Sequence, residues 1–114
     1  MKYETYNKTI TTDASGDYSY SIVVNGLIDT VYVDYAADVD AGCDLTIVND
    51  FSETVVGLTN NKTDKTLHPI VQSTDSAASG IADEYRPYTA NSLTITVDEG
   101  GDSKVINLKI RVLA

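Results

Sequence analysis

One cysteine, one histidine and no tryptophan leave this chain few of the side chains on which catalytic and metal chemistry usually rest. The lone Cys43 cannot close an internal disulfide, so the fold must be held by its core. Such usage fits assembly in a reducing compartment. His68 and Cys43 together fall short of the four N/S ligands of a tetrahedral zinc site. Nucleophilic catalysis of the Ser/His/Asp or Cys/His kind would have to use His68, and no G-x-S-x-G sequence is present. Asp44, next to Cys43, would raise the thiol pKa rather than lower it. No catalytic, cofactor-binding or metal-holding residue is therefore assigned, and the chain is not expected to be an enzyme.

Basic residues are scarce too. Eight Lys and Arg stand against 17 Asp and Glu, a net charge of −9. An acidic surface repels phosphate backbones, and no Lys/Arg cluster overcomes this locally, so nucleic acid is not an expected partner. The acids are scattered, which favours solubility. No run of about 18 apolar residues predicts a transmembrane helix, so no membrane partner is expected. Met1–Thr12 also lacks the apolar stretch of a signal peptide. Without that signal, the glycosylation-like triplets at Asn7 and Asn61 read as chance.

What the sequence does have is alternation. Leu93, Ile95 and Val97 repeat every second residue, as do Ile106, Leu108, Ile110 and Val112 after Glu99-Gly100-Gly101-Asp102. Two such runs about a Gly-Gly turn predict an antiparallel hairpin. Tyr18, Tyr20, Ile22 and Val24 alternate before Asn25-Gly26, a hairpin signal, and Val31, Val33 and Tyr35 alternate after it. Leu45 and Ile47 mark a strand over Cys43–Val48, with shorter strands at Glu53–Leu58 and Thr66–Val71. Pro69 confines the last of these to a sheet edge. Ser73–Ala82 is a loop of small residues with room for one helical turn. A chain of 114 residues makes one domain, burying roughly 65% of its unfolded surface. The expectation is an all-β chain: one antiparallel β-sandwich or jelly-roll-like domain of about seven to eight strands over residues 13–114.

Residues 1–12 are the exception, because Tyr3, Thr5, Asn7 and Thr9 oppose Glu4, Tyr6, Lys8 and Ile10, and neither face is clearly apolar. A strand without a buried face has weakly specified register. It is expected either to pair as an edge within the chain or to act as an arm on a neighbouring molecule. Tyr3, Tyr6 and Ile10 are its candidate partner contacts. Elsewhere, Asp38, Asp40 and Asp44 around Gly42 could offer oxygens to a cation, but a solvated turn with Asp side chains bonding local backbone explains them better. Glu53, Asp83 and Glu84 could form carboxylate pairs, as acids in any acidic protein could. The pairs Tyr3/Tyr6, Tyr32/Tyr35 and Tyr85/Tyr88 are three apart, so their members face opposite ways on a strand, and only Tyr18 and Tyr20 share a face.

The order of these segments resembles a family of small structural proteins of tailed bacteriophages, the head-decoration or head-fibre-like virion proteins. The resemblance runs through Asn25-Gly26-Leu27-Ile28, Val31–Tyr35 and Asp38–Ile47, with its acidic turn before Asp44-Leu45-Thr46-Ile47. It continues in His68-Pro69, Ser73–Ala82, Tyr85–Tyr88 and the closing Leu93–Val97, Gly100-Gly101 and Lys104–Val112. The chain departs from the family by lacking an aromatic residue and an arginine beside Pro69, and the resemblance identifies no functional residue. It implies a capsid decoration or cement protein on the virion exterior, assembled in the host cytoplasm. Its partners would be the major capsid protein and further copies of itself, with a trimer one arrangement the capsid lattice offers. An adhesion or carbohydrate-binding module, or a tail or neck component, stand as the alternatives.

Overall fold

Burying every second side chain requires two sheets face to face, and the chain supplies strands for both. The structure, a computed structural model, describes residues 2–74, 80–85, 87–89 and 92–114, among which there is no helix. The strands are β1 (Tyr3–Thr11), β2 (Tyr18–Ile22), β3 (Gly26–Tyr35), β4 (Asp44–Asn49), β5 (Thr54–Leu58) and β6 (Lys65–Leu67). After these come β7 (Val71–Thr74), β8 (Gly80–Tyr85), β9 (Tyr88–Thr89), β10 (Leu93–Asp98) and β11 (Val105–Leu113). One sheet runs β1-β11-β3-β6, with β9 also on β3, and the other runs β2-β10-β4-β5. All pairings in both sheets are antiparallel. Apart from the β7–β8 hairpin and short β9, the chain crosses between sheets at nearly every connection. This is the eight-stranded double Greek key of a jelly roll.

The core lies between the sheets. Ile10, Ile28, Val31, Val33, Ile106, Leu108, Ile110 and Val112 come from the five-stranded sheet, and Leu45, Ile47, Leu93, Ile95 and Val97 from the other; none is more than 2% exposed. The alternation expected over Leu93–Val97 and Ile106–Val112 is the alternation of burial observed. Pro69 ends the Thr66–Val71 run early: β6 stops at Leu67 on the sheet edge, and Val71 opens β7. Within Ser73–Ala82, Thr74 pairs with Gly80 across the β7–β8 hairpin; residues 75–79 lie outside the described residues.

Two expected hairpins are sheet crossings instead. β10 pairs with β2 and β4, and β11 pairs with β1 and β3, so Glu99–Ser103 carries the chain from one sheet to the other. Likewise β2 and β3 lie in different sheets, and Asn25-Gly26 is no hairpin turn. Alternation reports one buried face, and two strands facing the same core from opposite sheets alternate just as a hairpin does. Gly26 is needed for another reason. Its φ is +131°, and a Cβ there would stand 2.8 Å from the carbonyl oxygen of Leu113.

Backbone contact also closes the opposite end. Gly16, at φ +82°, accepts a 2.9 Å hydrogen bond from Gly100 N–H through its carbonyl, and a Cβ on it would lie 2.6 Å from Gly101 N. Thr12 braces the same junction: Lys104 N–H donates to its hydroxyl at 2.8 Å, and the hydroxyl donates to the Gly101 carbonyl at 2.5 Å. Gly16→Ala should therefore cost at least about 1 kcal/mol in urea denaturation, through strain at a positive φ. Ile95→Ala or Ile110→Ala should cost about 2–5 kcal/mol by leaving a core cavity. An Ile110→Ala variant as stable as wild type would contradict the packing described.

Candidate functional site

The outer face of the five-stranded sheet is polar, because the residues alternating with the core face solvent. Cross-strand rows assemble it: Thr5–Arg111–Thr30, Asn7–Lys109–Tyr32–Thr66 and Thr9–Asn107–Asp34. Two shallow grooves, of about 290 and 330 Å³, meet over Tyr32 and Lys109 and form one trough across this face. Asn7, Thr9, Asn107 and Asp34 line one end, and Thr5, Thr30, Thr66, His68 and Arg111 the other.

A β-bulge sets the geometry of the second end. Arg111 pairs with Thr30 but Val112 pairs with Ile28, so Asp29 is an extra residue in β3. Its carboxylate, largely buried, accepts from Arg111 Nε at 2.9 Å, Arg111 Nη2 at 2.7 Å and the Thr30 hydroxyl at 2.7 Å, all on Oδ2. Arg111 is also held against the Tyr3 ring, with Cζ 4.8 Å from its centroid. His68 Nδ1 lies 3.4 Å from both the Thr30 hydroxyl and the Asp29 carbonyl oxygen. A guanidinium pinned by a carboxylate and an aromatic ring is pre-ordered before anything binds. The other end is acidic: the charge of Asp34, then desolvation, then the charge of Asp64 push the Tyr32 phenol above its ordinary pKa.

The sequence candidates are dispersed. Tyr3 is 57% exposed on the outer face, whereas Tyr6 is half-buried and donates to Glu4 Oε2 at 3.0 Å. Ile10 is 0% exposed in this chain's own core, so it offers no surface to a partner while β1 is seated. β1 itself pairs with β11 at nine successive positions. Tyr18 and Tyr20 share a face as expected, with ring centroids 6.3 Å apart and Lys8 Nζ 4.2 Å from the Tyr20 centroid. They stand away from the trough. The side chains of Asp83, Glu84, Tyr85 and Tyr88 lie outside the described residues.

The acids of the 38–44 stretch hold backbone and a lysine. Lys104 Nζ donates to Asp38 at 3.1 Å and holds that carboxyl below the usual range, while Asp44 accepts from Asn60 N–H at 2.9 Å. Among the described residues, no three Asp, Glu, His or Cys side chains gather where a metal ion could sit. Glu53 accepts from Asn49 Nδ2 at 2.8 Å in the β4–β5 turn. Cys43 is buried in the core, away from His68; burial first, then Asp44, Asp40 and Asp98, push its thiol up to about 11. Sequence reasoning missed Asp29 and the Arg111 network. The signal was the three-residue spacing of Ile28 and Val31, two apolar residues that both face inward only if one residue between them is extra.

The molecule is thus a jelly-roll sandwich with a filled interior and a polar trough on one sheet face. No protein-family model matches the chain, and no curated protein matches it in sequence. Among solved structures it is similar to the crystal structure of FLHE, with a TM-score of 0.53 and 13% identity over 100% of both chains. Likeness at that identity concerns the fold alone. Among the described residues, no helix is long and apolar enough to cross a membrane.

Asp29→Ala should cost about 1–3 kcal/mol in denaturant unfolding, since it removes the acceptor of three hydrogen bonds. Cys43 should resist thiol reagents at neutral pH in the native protein and react on unfolding. Its raised pKa means that the native state keeps a proton the unfolded chain loses. Stability should therefore fall as pH rises between about 9 and 11, as read from thermal midpoints across that window.

Proposed function

We propose that this protein is a structural virion component, a decoration or cement protein on the outside of a tailed-phage head. The observation that carries the reading is where the fold leaves surface for contact. The space between the sheets is filled with aliphatic side chains, while β1 ends the five-stranded sheet with nine residues whose outer backbone edge pairs with no other strand among the described residues. A sandwich of this kind works by what touches its exterior. The layout of sequence segments and the acidic charge favour the virion setting.

The mechanism is mass action. A protein that binds the assembled lattice better than free capsid subunits shifts the equilibrium toward the intact shell. Its partners are the major capsid protein and neighbouring copies. For residues 1–12, strand addition has two routes. A full exchange of β1 would break nine positions of pairing and expose Ile10. A neighbour's strand adding to the free edge of β1 leaves both intact, and this second route is the one we favour.

The test is to locate the polypeptide in purified particles by mass spectrometry and electron microscopy. Multiple copies on the head exterior, with particles lacking the protein losing DNA at lower temperature, are the expected outcome. Its absence from the particles would reject the reading, and density at the neck or tail would move it there.

A further inference from the structure

The trough on the outer sheet face has a chemistry that the decoration role does not require. Its walls present hydroxyls from Thr5, Thr9, Thr30 and Thr66, amides from Asn7 and Asn107, and the Tyr32 ring. Paired hydroxyl and amide side chains both donate and accept, which matches the hydroxyls of a sugar ring. Tyr32 supplies an apolar ring with a polar tip at the centre, where the two grooves join. The rows from Asn107 to Arg111 span five residues of β11, four steps or about 13 Å of strand. That length suits a short oligosaccharide better than a monosaccharide.

Charge then selects among sugars. Lys109 makes no hydrogen bond or ion pair among the described residues, and it shares the outer face of β11 with Arg111 two positions on. Arg111 gives Nε and Nη2 to Asp29, with Nη2 also 3.3 Å from the Thr30 hydroxyl, and among the described residues Nη1 has no partner and is open to a ligand. The Lys109–Arg111 pair is local: Asp29 balances the Arg111 charge, so Lys109 carries the uncompensated one among the described residues, in a chain of net charge −9. An extended polyanion would leave the pair and meet the acidic surface, whereas one carboxylate remains within a Debye length of about 8 Å of the cations. Asp34 at the opposite end repels a carboxylate and accepts from hydroxyls, so the two ends define a direction.

The geometry points to an acidic oligosaccharide as the ligand of this trough, its carboxylate against Lys109 and Arg111 and its neutral hydroxyls toward Asn107 and Asp34. The inference is independent of the virion reading, because it concerns the isolated protein.

The experiment is a glycan array of acidic and neutral oligosaccharides probed with the purified full chain. Titration calorimetry follows, using a trisaccharide with one terminal uronate, a sialylated trisaccharide, neutral cellotriose and a glutamate tripeptide. Retention confined to carboxylate-bearing glycans is the expected result. Lys109→Glu, at an exposed position without partners among the described residues, should weaken binding at least about tenfold with an unchanged thermal midpoint. Tyr32→Ala should weaken it as well, while Tyr20→Ala, outside the trough, should bind like wild type. No retained acidic glycan at millimolar concentration would overturn the inference, as would equal binding of cellotriose. Equal binding of the glutamate tripeptide, or wild-type affinity in Lys109→Glu, would do the same.

Discussion

Two sheets that are apolar on one face only must press those faces together, and every other feature of this molecule is arranged around that requirement. β3 and β11 form the spine of one sheet, and β4 and β10 the centre of the other. Their inward side chains are mostly Ile, Val and Leu, with Tyr35 at the end of β3 and Asn49 at the end of β4 as the polar-bearing exceptions. Hydrophobic burial holds the strands, but it does not discriminate among partners of equal apolarity. Partner choice falls to backbone geometry at the crossings, where Gly16 and Gly26 let main chain approach main chain.

The same requirement explains where polar chemistry goes. Acids and amides at the rims serve the turns: Asp13 accepts from the amides of Ser15 and Asp17, and Asn49 from those of Phe51 and Glu53. The outer face of the five-stranded sheet is the larger exception. There, side chains that alternate with the core form ordered rows, and the bulge at Asp29 locks Arg111 into one of them. A bulge costs a ladder position, and here it sets a carboxylate beneath a guanidinium. That network gives the trough a fixed cation at one end and leaves Lys109 as a second, unpartnered among the described residues.

Much of the fold was legible in the residue order. Period-two alternation located β3, β4, β10 and β11 within a residue or two, whereas the Thr66–Val71 run, expected as one edge strand, divides around Pro69 into β6 and β7. Tyr3 and Tyr6, three apart, do point to opposite faces, as do Tyr32 and Tyr35. The polar trough was not legible. Thr5, Thr30, Thr66, Lys109 and Arg111 come from four strands far apart in the chain, and no local pattern brings them together.

The sequence by itself determined that the chain is all-β, which side chains face the core, and that its exterior is acidic. Those properties depend on residue type and on a two-residue repeat, both local. Tertiary structure alone decided that β10 and β11 part into different sheets, that β1 is seated on β11 with Ile10 in the core, and that Asp29 meets Arg111. Each of these is a pairing between distant segments, chosen by how whole faces fit, and the alternation of one strand is the same whichever partner it takes.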